Sequence, residues 1–465
     1  MSHGDSPPDS YWGLGDGRPE WEWDREPRVS GSLESVSDHA EPDRPSPRGR
    51  DRAVPSEQQW LGTIAIFLAG QTVSLFGSAM VSYAVFWYIT LKTGSGWQYA
   101  VMYIAASLAT AATTVPGGVW ADRFSRKALM VGSDALVAGF TMVLALVMFS
   151  GYEQLWLIVV VLCCRGLGSG VQSPAMMATI PSLVPPDKLL RVNSINSSIQ
   201  SLTLIAAPAL AAVLLVYLPL GWILMLDVMT AAIGIGCVLM IAVPRPVVDP
   251  NEAAPEGIKG YFQQMGEAAR YGLGIPQLRR VAIMLIVMMA VVIPPANMTP
   301  VIIVRHFGPE QWKLALVEIL WSAGMVVGGL VLAWWGGLKN RMTLMLIIAA
   351  CWGLFTVGLG VSPNIWVFCL VMVVYGLSFP SFTTTALTST QELIPPHLLG
   401  RTMGFINLIF TLAGPIGMAV IGPLADVVDI RLLAVVCGVI GLVFVGVLAL
   451  DRGPASRLYA PAPLE

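Results

Sequence analysis

The sequence predicts an all-α polytopic membrane protein, with twelve transmembrane helices in two pseudo-symmetric halves of six. Hydrophobic residues make up 55% of its 465 residues and charged residues only 12%, with a mean hydropathy of +0.69. Soluble domains carry about 25% charged residues, so this composition indicates a membrane protein. The second observation is an internal repeat, in which residues 165–191 align with residues 375–401 without a gap. The repeat pairs Gly166 with Gly376, Pro185-Pro186 with Pro395-Pro396, and Arg191 with Arg401.

The spans are predicted from continuous apolar runs, since about 20 apolar residues cross a bilayer as a helix. The runs do not alternate between apolar and polar residues, which favours helices over the strands of a barrel. Their expected limits are 61–90, 97–120, 128–150, 154–178, 189–217, 220–243, 281–304, 312–336, 342–361, 365–390, 401–423 and 431–450.

The segments outside the spans divide the chain. Residues 1–59 are rich in acidic residues, arginine and proline, and too poor in apolar surface to offset the entropy of ordering, so we expect a disordered tail. Residues 60–243 form the first half and residues 281–450 the second. Residues 244–280 form a polar linker with a short helical pattern near 260–270, and residues 451–465 a second tail.

Positive charge predicts the orientation. An even number of spans places both termini on one side, together with the loops that carry most of the 27 lysines and arginines. Cytoplasmic loops carry an excess of these residues. We therefore expect a multi-pass protein of the cell membrane with both termini in the cytoplasm.

Several classes of chemistry are excluded by what the sequence lacks. The six cysteines lie inside apolar runs without CxxC or Cys/His spacing, and the four histidines are scattered, so we expect no disulfide and no metal site. There is no GxxxxGK[ST] motif, so ATP is not indicated as the energy source. No Ser/His/Asp arrangement and no nucleic-acid motif is visible. We therefore predict no catalytic residues, no enzyme activity and no bound cofactor.

The loop after the second span concentrates charge. An acid and three cations follow one another closely there, and they predict a compact latch that holds one conformation closed. A glycine one turn earlier is expected to let helices approach closely. The alternative is a plain positively charged loop. The residues concerned are Gly118, Asp122, Arg123, Arg126 and Lys127.

Four ionisable residues are predicted inside the membrane, where each costs about 2.5–3.5 kcal/mol and so needs a partner or a function. Asp134 and Arg165 are expected at comparable depths on antiparallel spans, where they can pair. Asp227 and Glu318 lie about two helical turns inside the outer, non-cytoplasmic face of the membrane, one in each half of the chain. All four are candidates for proton coupling, with Glu318 preferred. A structural role for each acid is the alternative.

Two polar stripes recur at helical spacing and face one direction each. Either they line a wet cavity or they bond neighbouring helices. Aromatic residues on the first two spans suit a large apolar ligand with a few polar groups, although lipid-facing packing explains them equally well. The resulting cavity candidates are Gln71, Ser74, Ser78, Tyr83, Tyr103, Asn193, Asn196 and Gln200.

The charged loop Gly118-x-x-x-Asp122-Arg123-x-x-Arg126-Lys127 resembles the cytoplasmic loop signature of the major facilitator superfamily, with Ser125 in place of one usual glycine. Arg165-Gly-Leu-Gly is similar to the arginine motif of that superfamily's fourth helix. Residues 70–95 and 165–196 resemble the drug:proton antiporter branch that contains macrolide-efflux proteins and the enterobactin exporter. That branch's fifth-helix motif survives only as Ala206-Ala-Pro-Ala209. The resemblance implies a role for Arg165 in modulating the protonation of a nearby acid.

Together these observations predict secondary active transport by alternating access, because two similar halves can rock about a site between them. The expected function is proton-coupled export of a small amphipathic or hydrophobic compound, such as a macrolide-like drug or a siderophore-like metabolite, by a monomer. The proton gradient supplies the energy. The alternatives are a lysophospholipid transporter of the same fold and a non-transporting membrane sensor.

Overall fold

The computed structural model of the chain describes residues 57–152, 154–244, 266, 270–338, 340–394 and 396–450. The side chains of residues 57–59, 396–401 and 404–405 are not described. The predicted N-terminal tail up to residue 56, most of the linker with its short helical pattern, and the C-terminal tail therefore lie outside the described residues.

Within the described residues, 12 helices are long and apolar enough to cross a membrane. This confirms the predicted fold class, and the predicted limits agree to within a few residues. Eleven of these helices are continuous: α1 Glu57–Thr93, α2 Gly96–Arg123, α3 Arg126–Phe149, α4 Leu155–Leu183, α5 Leu189–Tyr217, α6 Leu220–Met240, α8 Gln311–Trp335, α9 Arg341–Val361, α10 Ile365–Leu393, α11 Pro396–Val427 and α12 Ile430–Leu450.

Several helices begin at polar residues that cap their first turn. Ser95 accepts a hydrogen bond from the amide of Gln98, and Ser125 accepts one from Ala128. Asn340 and Asn364 each accept two amides at the starts of α9 and α10. Such caps satisfy amides that have no partner inside the helix. They explain how helices α2 and α3 begin almost directly after the preceding helix ends.

The seventh span is interrupted. It consists of α7a Pro276–Val287, a π-helical turn Met288–Val292, α7b Ile293–Asn297 and α7c Thr299–His306, with Met298 between the last two. Pro294, Pro295 and Pro300 explain the interruptions, because proline has no amide hydrogen and clashes with the preceding turn. Interrupted helices in membrane proteins occur where they border protein or a cavity rather than lipid.

The packing of the second half repeats that of the first. In the first half, α2 packs on α4 and α3 on α6. In the second, α8 packs on α10 and α9 on α12. The repeated glycines lie at equivalent crossings, since a methyl group at Gly166 would approach the Ala106 carbonyl on α2 to 2.5 Å and one at Gly376 the Trp321 carbonyl on α8 to 2.3 Å. The sequence repeat thus marks the same helix contact in each half.

The transmembrane helices begin and end at two opposite faces of the bundle. The terminal face is the one at which α1 begins and α12 ends, at Glu57 and Leu450, and the distal face is the opposite one, where α1 ends and α2 begins. The halves meet where α2 packs on α11 and α5 on α8. In the second of these contacts, Ser322 Oγ donates a hydrogen bond to the Ile205 carbonyl at 3.0 Å.

Gly376→Ala is expected to destabilise the protein by about 1–3 kcal/mol, the usual cost of overpacking. The new methyl group would meet the Trp321 carbonyl and force α10 away from α8. The measurement is the thermal unfolding of the purified protein in detergent. Gly446→Ala is the matched control, because no described atom lies within 4 Å of a methyl group there. Equal unfolding temperatures for the two variants would contradict the role of this crossing.

Candidate functional site

A cavity of about 330 Å³ lies between the two halves. Its walls come from α1, α2 and α5 of the first half and from α7, α8, α10 and α11 of the second. Its lining is rich in aromatic residues. Their rings pack on one another, with 5.7 Å between the ring centres of Tyr83 and Trp87 and 6.0 Å between those of Trp321 and Phe379. The aromatic members are Tyr83, Trp87, Tyr99, Tyr103, Trp321, Tyr375, Phe379 and Phe410.

One acidic side chain, that of Glu318 on α8, belongs to this lining. No lysine, arginine or histidine is among the lining residues. Within the part of the chain that the structure describes, the Glu318 carboxylate has neither a hydrogen bond nor an ion pair. Its carboxyl group therefore lies among aromatic, apolar and uncharged polar side chains, with no cation among the lining residues. A carboxyl in such surroundings is suited to take up a proton or a cationic group of a ligand.

A second cavity of about 310 Å³ adjoins the first on the side of α1, α4 and α5. The two share Tyr83 and Leu204 in their linings. The predicted residues Asn196 and Gln200 line this second cavity. The two cavities therefore adjoin at these shared side chains, so that an aromatic region lies beside a region with amide side chains. Such an arrangement suits a ligand that is largely apolar and carries a few polar groups.

The predicted cavity residues fall into two groups. Tyr83, Tyr103, Asn196 and Gln200 line these cavities, and Ser78 lines a smaller one of about 260 Å³ between α1, α2 and α4. The placement of Gln71 and Ser74 in the cavity is wrong, because both are buried among helices. Asn193 is exposed, and its place in the cavity stays a prediction. The polar stripe on α1 faces its neighbour helices, because it bonds the buried acids of α3 and α6.

Arg165 on α4 forms a buried ion pair with Asp227 on α6, and the two side chains are 5% and 0% exposed. Arg165 also donates hydrogen bonds to the hydroxyl of Thr141 on α3 and to the carbonyl of Ser78 on α1, the latter at 2.8 Å. Ser78 Oγ donates to Asp227 at 3.0 Å. One guanidinium thus joins four helices of the first half, with only its Nε lacking a partner among the described residues, and a buried pair bonded in this way fixes how these helices pack.

The predicted pairing of Arg165 with Asp134 is therefore wrong. Asp134 accepts hydrogen bonds from Ser74 at 2.9 Å and from Gln172 at 2.7 Å, both on Oδ1, and Oδ2 has no partner among the described residues. Helices α3 and α4 run antiparallel. Asp134 consequently lies level with Gln172, two turns or about 10 Å from Arg165. Asp134 is 3% exposed, so it is a buried carboxyl without a cation among the described residues.

The charged loop does not form a closed cluster in this structure. Arg126 donates to the Ala121 and Ala178 carbonyls, and Lys127 donates to the Leu239 and Ile241 carbonyls at the end of α6. Cations at the carbonyl ends of helices are favourable. Asp122 and Arg123 are exposed, and neither has a hydrogen bond or ion pair with another described residue.

The expected close helix approach at Gly118 is also wrong, because no described atom lies within 4 Å of a methyl group placed there. The close approach is one residue earlier. A methyl group at Gly117 would lie 2.8 Å from the Gly170 carbonyl on α4. A helix turns by about 100° per residue, so a shift of one position moves the contact to another face.

Most of the second half's share of the cavity was not predicted from the sequence. Trp321 follows Glu318 by three positions, and Phe379 follows Tyr375 by four, so each pair lies on one helix face. The prolines at 294, 295 and 300 were visible as breaks in an apolar run, and Asn297 and Pro300 at the last break line the cavity. These spacings and proline breaks are the sequence signals from which the second half's cavity wall could have been predicted.

Comparisons with known proteins agree with this architecture. The family model described as Major Facilitator Superfamily matches residues 67–418 and, in a second match, residues 282–463. Macrolide efflux protein A of Streptococcus pyogenes is 30% identical over 372 residues, which are 78% of this chain and 89% of that protein. The multidrug efflux pump Tap of Mycobacterium tuberculosis (strain ATCC 25618 / H37Rv) is 24% identical over 420 residues, which are 86% of this chain and 97% of that protein.

A solved structure has the same fold. The crystal structure of a bacterial homolog to the human lysosomal transporter Spinster, in an inward-facing and unoccupied conformation, superposes with a TM-score of 0.64 at 15% identity and covers 88% of this chain and 100% of that one. The family match spans both halves and the twelve helices between which the cavity lies. The chain therefore belongs to the major facilitator superfamily.

Proposed function

We propose that this transporter exports amphipathic compounds in exchange for protons. The observation that carries the proposal is the aromatic cavity between the halves, with the Glu318 carboxyl in its wall and no cation among its lining residues. The aromatic surface binds the apolar part of a substrate. The acid binds either a proton or a polar group of the substrate. The efflux proteins among its relatives support export as the direction.

Of the predicted proton-coupling residues, we assign the main role to Glu318. Asp134 is the second candidate, because it is buried without a cation among the described residues. Asp227 is neutralised by Arg165, so we assign this pair to holding the first half together. The assignment places the coupling carboxyl in the cavity wall, where it meets both the substrate and the water that enters the cavity. No bound cofactor enters this mechanism.

We further propose that the terminal face is cytoplasmic, that the protein resides in the cell membrane, and that it works as a monomer. The support for the orientation is the excess of lysine and arginine in the loops of that face. Export then requires the cavity to take up its substrate from the terminal face or the lipid and release it at the distal face.

Inside-out vesicles with an acidic lumen test the function directly. A macrolide, a lipophilic dye, a siderophore and a lysophospholipid are added in turn, while a fluorophore reports the pH of the lumen. The expected result is release of protons by one class of amphipathic compound and none from vesicles without the protein. A response to the lysophospholipid alone would identify a lipid transporter. No response to any compound, together with loss of cellular output on deleting residues 1–55, would support the sensor instead.

Asp122→Asn is expected to reduce transport to the background of empty vesicles while leaving expression and ligand binding in place. The exposed Asp122 carboxylate has no hydrogen bond or ion pair with another described residue in this conformation, and it is proposed to close the terminal face in another. The measurement is initial rate in the vesicle assay, with binding followed in detergent. Asp187→Asn is the matched control, because Asp187 is an exposed acid of the same face and pairs with its neighbour Lys188 at 3.2 Å. Normal transport by Asp122→Asn would contradict the gating role.

A further inference from the structure

Asp426, near the end of α11, crosses from the second half to the first at the distal face. Its carboxylate accepts hydrogen bonds from Ser95 Oγ at 2.7 Å, from the Gly96 amide at 2.8 Å and from the Trp97 amide at 3.0 Å. These groups form the first turn of α2. A carboxylate at this position satisfies amides that have no partner within the helix and is attracted by the positive end of the helix dipole.

Arg305 completes this contact from α7c. Its guanidinium pairs with Asp426, donates to the Ala425 carbonyl, and donates through Nε to the Gly94 carbonyl of the first half at 2.7 Å. Arg305 thus orients the acid and also crosses between the halves itself. The pair is partly exposed, with 30% and 29% of the two side chains accessible. Charge-assisted hydrogen bonds are about twice as strong as neutral ones. This small contact therefore stabilises the association of the two halves more than the same number of neutral hydrogen bonds would.

The backbones of α2 and α11 approach closely at the same place. A methyl group at Gly422 would lie 2.1 Å from the Ala100 side chain, and one at Gly96 would lie 2.9 Å from the Gly422 carbonyl. Two glycines therefore bring the end of α11 against the start of α2, within reach of Asp426. The same helix segments would have to separate for the cavity to open at the distal face.

The sequence places a similar segment, which runs from a glycine to an aspartate, at the terminal face. Helix α2 ends in Gly118-Val-Trp-Ala-Asp122, and α11 ends in Gly422-Pro-Leu-Ala-Asp426, with the aspartate second from the end of each helix. The two helices pack antiparallel, so one acid lies at each face. In this structure the distal acid is bonded, and Asp122 has no partner among the described residues.

We propose that Asp426, Arg305 and the first turn of α2 form a distal latch, which holds the two halves together at the distal face and breaks each time the cavity opens there. The latch is connected to the cavity by α7c. Pro300 in the first turn of that short helix lines the cavity, and Arg305 lies about 8 Å further along its axis. Closure of the distal face therefore depends on the position of a helix that also forms part of the cavity wall.

Hydrogen exchange of the full-length protein in lipid nanodiscs, followed by mass spectrometry, tests the latch without requiring a substrate. Asp426→Asn is expected to raise the exchange rate of residues 94–101 and 424–430 on the order of tenfold, since it removes a charged cap of the kind that stabilises helix starts. Exchange at the terminal-face ends of α4, α5 and α10 is expected to fall, because opening one face closes the other.

Asp429→Asn is the matched control. Asp429 lies three residues from Asp426 and pairs with His306 at 3.1 Å, and both residues belong to the second half. Asp429→Asn makes the same change of charge at the same face without affecting a contact that crosses between the halves. The proposal predicts no change of exchange in residues 94–101 for this variant. Identical exchange patterns for Asp426→Asn and Asp429→Asn would overturn it.

A second variant covers the case in which Asp426→Asn fails to fold, which would raise exchange along the whole chain. Ser95→Ala removes one crossing hydrogen bond and the cap on the Gln98 amide, and it leaves the ion pair intact. Because loss of the cap alone raises exchange at the start of α2, the exchange of residues 424–430 on the other half reports the latch in this variant. The latch predicts for it a smaller increase, of about two- to fivefold, in the same distal segments, with the opposite change at the terminal face. Unchanged exchange in those segments for Ser95→Ala, beside general unfolding of Asp426→Asn, would assign Asp426 to folding and refute the latch.

Discussion

Asp227→Leu is expected to destabilise the protein by about 3–5 kcal/mol, because it leaves a buried guanidinium without its counter-charge. Arg165 is 5% exposed and Asp227 is fully buried, so water cannot replace the lost carboxylate without opening the helix bundle. The remaining bonds of Arg165, to Thr141 and to the Ser78 carbonyl, do not neutralise its charge. Thermal unfolding of the purified protein in detergent measures the effect.

The double variant Arg165→Met/Asp227→Leu tests whether Asp227→Leu destabilises the protein through the unpaired charge of Arg165 or through loss of the ion pair itself. Replacing a buried ion pair by apolar residues of similar volume is often neutral, so the double variant is expected to recover most of the stability that Asp227→Leu loses. Asp429→Leu removes an exposed contact with His306 and a bond to the Arg431 amide at the start of α12, and should cost about 0.5–2 kcal/mol. If Asp227→Leu costs no more than Asp429→Leu, the pair does not hold the first half together.

The residues of this network show what the sequence could predict. Hydropathy gave the depth of Asp134, Arg165 and Asp227 in the membrane, because depth follows from counting residues along a helix. It did not give the direction in which each side chain points or the arrangement of the six helices around the bundle. The partner of Arg165 turned out to be on α6 and not on α3. Pairing between helices depends on packing, which a single sequence does not encode in its periodicity.

The repeated glycines were predictable from the sequence, whereas the distal latch was not. Gly166 and Gly376 were visible as a repeat and proved to be equivalent helix crossings. Asp426 and Ser95 are joined across 331 positions of the chain. No local pattern connects them, since they meet only because α2 and α11 pack antiparallel. The cavity was predictable for the first two spans and for Glu318, and its second-half aromatic wall became apparent only when α8 and α10 were placed beside α7.

Glu318→Gln is expected to reduce substrate-induced proton release to the level of vesicles without the protein. Glutamine keeps the size and most of the hydrogen-bonding capacity of the side chain but binds no proton at any working pH. Since Glu318 is the acid in the wall of the aromatic cavity, its neutralisation should remove the coupling and leave the cavity's shape unchanged. The measurement is the vesicle assay with the compound class to which the wild type responds.

Glu310→Gln is the matched control on the same helix. Glu310 is exposed at the distal start of α8, where Lys313 accounts for most of the lowering of its pKa by donating a hydrogen bond at 2.7 Å. It therefore stays ionised throughout the working range, and its replacement should leave proton release unchanged. Loss of release in both variants would indicate a general effect of removing acids from α8 and would contradict the specific role of Glu318.

Exchange of labelled for unlabelled substrate decides what Glu318 does. This exchange needs binding and movement of the halves but no net proton transfer, so a coupling residue can be neutralised without stopping it. If Glu318→Gln retains exchange and loses proton release, Glu318 carries the proton. If it loses both, the carboxylate is required for binding the substrate itself. Retention of both would transfer the coupling role to Asp134, a buried carboxyl without a cation among the described residues, and Asp134→Asn would then be expected to abolish proton release.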